Sequence, residues 1–137
     1  QTLTTRNIVI ATGARPFVPE IKGIDSIHYL TSDNLWDLQE LPKRLLVLGG
    51  GPIGCELAQS FARLGSQVIQ VERNSRIMKR EDEAVSVSVQ NSFAKDGVDL
   101  RLQHQAQEFT IVEGNKTLIC TDKQGDIVSI EFDEVLI

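Results

Sequence analysis

Apolar and polar positions along this chain fall into distinct patterns, and each pattern predicts a different kind of element. Residues 3–5 and 7–11 mix apolar and β-branched side chains up to Gly13, which predicts strands or a single hairpin. Pro16, Pro19 and Gly23 then interrupt any regular period and mark a linker. Residues 32–39 carry helix signals, with Ser32 or Asp33 as cap and Leu35, Trp36 and Leu38 as the packing face. Leu41-Pro42-Lys43 ends that helix.

A sharper unit follows. Residues 44–48 are a short apolar run of the kind buried on both faces in a parallel sheet. Gly49-Gly50-Gly51 forms a turn, and Pro52 stands where the first helical turn tolerates proline. Ile53, Leu57, Phe61 and Leu64 recur at helical spacing, and Gly65 suits the C-terminal cap. Residues 67–72 read as a second strand, so the whole is strand, turn, helix and strand.

Residues 80–96 fit two periods. Val85, Val87 and Val89 alternate like a half-buried strand, while Val85, Val89 and Phe93 share one helical face. Glu81-Asp82-Glu83 favours a helix N-terminus electrostatically, and Gly97 suits a C-cap. A helix also supplies the crossover that a third parallel strand at 98–102 requires, so helix is the reading adopted. Beyond residue 103 the period becomes two. Segments 106–112, 116–121 and 127–132 are separated by Gly114-Asn115 and Gln124-Gly125-Asp126, the pattern of an antiparallel meander. A last strand at 134–137 returns to the main sheet.

Composition narrows the function classes. With 137 residues the chain can build one core. A formal net charge of −5 and no basic stripe argue against a nucleic-acid partner. The apolar runs fall far short of the roughly 20 residues of a membrane span. Gln1 to Thr4 shows neither a basic nor an apolar leader region, so a cytoplasmic location is expected. Cys55 and Cys120 are read as free buried thiols, and neither they nor His28 and His104 stand at metal-ligand spacing. The chain opens in a strand-like stretch and stops at Val135-Leu136-Ile137, so a piece of a longer protein is expected.

The chemistry lies in the glycine turn. Gly49, Gly51 and Gly54 form G-x-G-x-x-G between a strand and a helix, and Glu72 ends the next strand 18 residues past Gly54. Gly49 permits a tight turn, Gly51 lets backbone approach a pyrophosphate, and Gly54 lets the helix lie close on the sheet. Free amides at the helix start, with the helix dipole, favour an anion. Glu72 can accept hydrogen bonds from ribose hydroxyls and would repel a 2′-phosphate, by ~1–4 kcal/mol for unit charges about 4 Å apart. That favours NAD(H). Arg73, with Arg76 and Lys79 beyond it, could clasp a 2′-phosphate, so NADP(H) stays open.

The chain resembles the class I pyridine nucleotide-disulfide oxidoreductases, such as dihydrolipoamide dehydrogenase, glutathione reductase and mercuric reductase. Ile8 to Pro16 is similar to the family's A-T-G-x-x-P segment, Leu48 to Ala58 to its nucleotide fingerprint, and Val135 to Ile137 to the strand entering a second A-T-G segment. Leu41 to Arg44 and Arg80 to Asp82 look closest to the mercuric-reductase-like branch. The resemblance implies an α/β, Rossmann-like FAD/NAD(P)-binding fold with a central parallel sheet, helices and an antiparallel β-meander. It implies that residues 1–24 end an FAD-binding region and lead across a linker, and that residues 25–137 form the NAD(P)-binding domain.

It also implies roles. NAD(P)H would lie across Gly49, Gly51, Pro52, Ile53 and Gly54 and pass a hydride to FAD, which reduces a disulfide. Glu56 would orient nicotinamide against flavin. Ala106 would pack on the adenine side, Glu72 and Arg73 would face the adenosine ribose, and Gly13 would touch the FAD region. The family's redox cysteine pair and its catalytic His-Glu pair, carried on an interface domain, have no counterpart here, so no catalytic residue is assigned. The parent is expected to be a homodimer holding FAD mostly through other segments. Competing readings are a stand-alone NAD-sensing module, an NADH oxidase or ferredoxin reductase-type flavoprotein without a cysteine pair, and an S-adenosylmethionine methyltransferase. The Ala11-Thr12-Gly13 segment and the meander fit the last poorly.

Overall fold

A computed structural model of the chain describes residues 2–137. Four strands form a parallel sheet: β1 (Arg44–Leu48), β2 (Gln67–Glu72), β3 (Asp99–Leu102) and β7 (Glu134–Leu136), in the order β3-β2-β1-β7. Helices α1 (Pro52–Leu64) and α2 (Glu83–Asp96) provide the crossovers. A separate antiparallel sheet joins β4 (Gln105–Val112), β5 (Asn115–Thr121) and β6 (Ile127–Phe132). The fold is α/β and Rossmann-like, with a central parallel sheet, helices and a β-meander.

The core divides because β1 is buried on both faces. Leu45 and Val47 join Val68, Cys55, Ala58 and Phe93 in the cluster with the helices. Leu46 joins Val71, Val135, Phe109, Leu118 and Phe132 in the cluster with the meander. Alternation along a strand produces this division, and each such buried side chain stabilises by roughly 1.5–3 kcal/mol. Phe109 and Phe132 meet edge to face, with centroids 5.9 Å apart. Val18, Ile21, Ile24 and Ile27 pack against the same cluster, so packed chain extends back to Val18.

Several local expectations are corrected. Residues 2–20 contain no strand, and Leu3, Ile8, Val9 and Ile10 are each at least 80 % exposed. Their strand pattern finds no neighbouring strand, and an unpaired strand has no ladder to hold it. Residues 32–39 form only a single 3-10 turn at Leu35–Asp37. Asn34 diverts the backbone there: its Oδ1 accepts from the Thr31 amide at 2.6 Å and its Nδ2 donates to the Tyr29 carbonyl. Neither Ser32 nor Asp33 acts as the cap, and Trp36 is 73 % exposed rather than packed. In α1 the fully buried side chains are Cys55 and Ala58, while Ile53 and Leu64 face solvent. Small residues bring this helix close to the sheet, and the larger residues flank the contact.

In α2 the cap is Asp82, accepting from the Ala84 amide, and the buried residues are Ser86 and Phe93 rather than Val85. Ser86 Oγ donates to the Ile77 carbonyl, which satisfies a hydroxyl in the core. The first hairpin loop is Glu113-Gly114, both at positive φ, and Asn115 already pairs with Val112 in β5. That is the backbone a two-residue turn of the primed type requires. Gly65 and Gly97 close their helices in left-handed conformation as expected.

Candidate dinucleotide site

Two of the three fingerprint glycines are required by the fold, each for a different reason. Gly49 has φ +106, which only glycine adopts freely. At Gly54 a Cβ would lie 3.1 Å from the Gly49 carbonyl oxygen, so the close approach of α1 to the turn requires its absence. At Gly51 a Cβ would meet nothing within 4 Å, and its φ of −75 suits any residue. Folding therefore places no demand on Gly51, and the side-chain-free space is left to whatever lies outside.

Helix α1 begins directly at that space. Pro52 is its first residue, no side chain caps it, and the first amide with a helical partner is Cys55, bonded to the Gly51 carbonyl at 3.0 Å. The amides of Ile53 and Gly54 thus open outward at the positive end of the dipole. Beside them is a cleft of about 270 Å³, walled by Pro16, Phe17, Ser32, Ile53, Leu136 and Ile137. It lies beyond the carboxyl ends of the neighbouring parallel strands β1 and β7, the expected side for a ligand in this architecture. The residues present fit a pyrophosphate: an uncapped helix start and a backbone without a Cβ in the way.

Glu72 is buried at 8 % exposure, and its carboxylate is already engaged. Oε2 accepts from the Gly50 amide at 2.6 Å, and Oε1 accepts from the Asn74 amide at 2.7 Å and from Asn74 Nδ2. A carboxylate offers about four acceptor positions, so capacity for a hydroxyl remains. The cations beyond it separate into classes. Arg76 donates to the carbonyls of Lys79 and Glu81 and so holds its own loop. Lys79 reaches Asn74 Oδ1 at 3.2 Å, next to Glu72. Arg73 is exposed, and no hydrogen bond or ion pair engages its side chain among the described residues.

The remaining expected residues are more dispersed. Glu56 is exposed on α1 just past the turn. Ala106 is half-buried in β4 opposite Cys120, and it packs with the meander cluster rather than on the cleft wall. The start of β4 nevertheless adjoins the end of β2, since the His104 amide bonds the Glu72 carbonyl at 3.1 Å. Gly13 is exposed in the extended N-terminal segment, at φ +74, and does not line the cleft. Both cysteines are buried and free, and burial pushes each thiol above its ordinary pKa. No group of three potential metal ligands occurs among the described residues, and no helix there is long and apolar enough to cross a membrane.

Sequence reasoning missed three participants. Gly50 is buried, and a Cβ there would come within 2.8 Å of Glu72 Oε2 and 2.9 Å of Ile77 Cγ2. Asn74 shares the Glu72 carboxylate. Gln70 is wholly buried in the middle of β2 and donates to the Gly49 carbonyl at 2.7 Å. Its signal was an amide in the centre of a strand that otherwise reads as buried.

Comparison with known proteins agrees with this geometry. The family described as pyridine nucleotide-disulphide oxidoreductase matches residues 1–137. A mercuric reductase from Staphylococcus aureus is 37 % identical over the full chain, which covers 25 % of that protein. An HOCl-induced flavoprotein disulfide reductase from Escherichia coli superposes with a TM-score of 0.80 at 32 % identity, over 93 % of this chain and 28 % of that one. A water-forming NADH oxidase from Lactobacillus brevis, solved with NADH, gives a TM-score of 0.76 at 27 % identity, over 91 % of this chain and 28 % of that one. The chain thus spans about a quarter of the length of the relatives it matches.

Proposed function

The chain belongs to the pyridine nucleotide-disulphide oxidoreductase family, and from that premise we propose that it is the NAD(P)H-binding domain of an FAD-dependent disulfide reductase. The observation that carries the reading is the uncapped start of α1 beside Gly51, where the protein leaves space for a Cβ it does not have. When bound, the dinucleotide would supply a hydride to the flavin of the parent enzyme. The protein's own part is to bind and orient. Ile53 and Gly54 donate backbone hydrogen bonds to the pyrophosphate, and the dipole of α1 favours its charge. Glu72 accepts from the adenosine ribose with the capacity its internal bonds leave, and Ala106 approaches the adenine from the start of β4. Glu56, one turn into α1, holds the nicotinamide end toward the flavin.

NADH is the favoured cofactor, because Glu72 sets a buried carboxylate where a 2′-phosphate would sit. Arg73 and Lys79 oppose that preference and leave a route to NADPH. In this reading residues 1–24, with Gly13, end the FAD-binding region, and residues 25–137 are the nucleotide domain. The redox disulfide and its acid–base pair belong to other parts of a dimeric, cytoplasmic parent. A second reading, a flavoprotein oxidase without a cysteine pair, rests on the likeness to the NADH oxidase; a cysteine pair in the parent's flavin domain would exclude it.

Calorimetry of the chain with NADH and NADPH tests the proposal. Tighter binding of NADH, weakened in Glu72→Ala, is the expected result. Preference for NADPH that disappears in Arg73→Ala would mean that the cations override the carboxylate. Binding of neither nucleotide would sink the reading.

A further inference from the structure

Gln70 has no exposed surface, and its Oε1 is the one buried side-chain nitrogen or oxygen without a partner among the described residues. Its neighbours on the helix-facing side of the sheet, Val68, Leu45 and Val47, are apolar. An amide in such a place, with half of its hydrogen-bonding capacity unmet, costs stability that a valine or leucine would not. What the other half does is therefore informative. Nε2 donates to the Gly49 carbonyl at 2.7 Å.

That carbonyl and the Gly50 amide belong to one peptide unit, and a trans peptide points them in opposite directions. The Gly50 amide donates to Glu72 Oε2 at 2.6 Å. Gln70 and Glu72 lie two residues apart on the same face of β2, so the strand spaces them by roughly 6.6 Å. That span suits a peptide with a hydrogen bond at each end. The next peptide is held as well: the Gly50 carbonyl accepts from the Met78 amide at 2.6 Å, with the Cys55 thiol 3.7 Å away on the same oxygen. With the Gly50 carbonyl drawn inward, the Gly51 amide of that trans unit must point outward, toward the cleft and the free amides of α1. Gly49, at φ +106, is the residue at which this turn would otherwise have freedom to rotate.

We propose that Gln70 is a positioning residue of the anion site: together with Glu72 it grips the Gly49–Gly50 peptide from both ends and so aims the Gly51 amide at the dinucleotide pyrophosphate. This rests on the nucleotide reading above. Gln70 touches no ligand itself and acts through the backbone of the turn.

The test is Gln70→Met, which keeps the volume and removes the donor, with Gln70→Leu as the second variant should the first not fold. Two readouts are taken: NADH affinity by calorimetry, and hydrogen exchange of the Gly50 amide in the unliganded chain. About a tenfold loss of affinity and about tenfold faster Gly50 exchange are expected. Phe93→Leu, in the core under α2, serves as a control that lowers stability without altering affinity. Unchanged affinity, or unchanged Gly50 exchange, in the Gln70 variants overturns the proposal. If the unsubstituted chain binds neither NADH nor NADPH, the nucleotide reading fails, and the grip is then judged by the exchange rate alone.

Discussion

At the glycine turn the backbone groups of Gly49 and Gly50 have named partners, and the amides beyond them open on a cleft. Residues 2–15 are exposed throughout, and the only hydrogen bonds there are local ones between Thr5 and Asn7, among the described residues. Both stretches join an apolar, strand-like run to a glycine. The difference is pairing. β1 has β2 on one side and β7 on the other, and its ladder sets the angle at which the turn leaves the sheet. Residues 7–11 have no neighbouring strand, so the same pattern stays extended and bare. A motif becomes a site only when the surrounding chain holds its backbone.

Gly23 lies in the packed chain beyond the unbuilt stretch, where it meets the meander, and substituting it should produce the largest effect. Its φ is +80, and a Cβ would lie 2.0 Å from the Phe109 carbonyl oxygen, a backbone atom of β4 that cannot swing aside. Left-handed strain of about 1–2 kcal/mol adds to an overpacking cost of about 1–3 kcal/mol. Gly23→Ala should lower the melting temperature by roughly 10 °C. A melting temperature within about 2 °C of the parent would show that the linker does not pack on the meander.

Gly51→Ala is the opposite case. Nothing in the protein opposes the added methyl, so the melting temperature should hold within about 2 °C. The methyl would instead stand in the path of the pyrophosphate, and NADH affinity should fall at least about tenfold, or about 1.4 kcal/mol. A loss of stability with affinity intact would make Gly51 a folding residue and remove the main support for the nucleotide site.

What could be read from residues alone follows the same division. The strand–turn–helix–strand unit was legible because its signals are local and its partners are the next elements in sequence. The meander was legible because period two and turn glycines coincide. The 3-10 turn at Leu35–Asp37 was not, because Asn34 satisfies the backbone through its side chain and removes the need for a helix. The packing stripe of α1 was misplaced onto Ile53 and Leu64. The sheet selects small residues, Cys55 and Ala58, for closest approach, and hydropathy does not reveal that choice. Glu72 was legible as a position but not as a bonded group, since its partners Gly50 and Asn74 meet it only after folding.

A smaller effect is expected at the base of the sheet. Asp133 accepts from the Arg44 amide at 2.8 Å and from the Arg44 guanidinium at 2.8 and 3.0 Å, joining the start of β1 to the corner between β6 and β7. The Arg44 guanidinium holds the Asp133 carboxyl below its ordinary value of 3.8. A pKa lowered by folding stabilises the native state above the unfolded value, and the contribution is lost as pH falls through the folded one. The pair is partly exposed, so screening limits it to about 1 kcal/mol. Below pH ~4 the parent should lose that increment relative to Asp133→Asn, and the two melting curves should converge. A constant gap between them down to pH ~2 would assign the stability to the neutral hydrogen bonds instead.

Deleting residues 1–15 should change least. Leu3, Ile8, Val9 and Ile10 bury almost nothing, so their removal forfeits little of the transfer free energy that holds the two core clusters. The chain from Pro16 onward should melt within about 0.5 kcal/mol of the parent, as surface changes usually do. The truncated chain should also bind NADH as the parent does, since Gly13 and its neighbours do not line the cleft. A marked drop in melting temperature would mean that this stretch pairs with the sheet in solution, and the contrast with the glycine turn would disappear. Unchanged melting with reduced self-association is the outcome the exposed apolar run calls for, because an extended apolar run with unpaired backbone groups is a ready template for another copy.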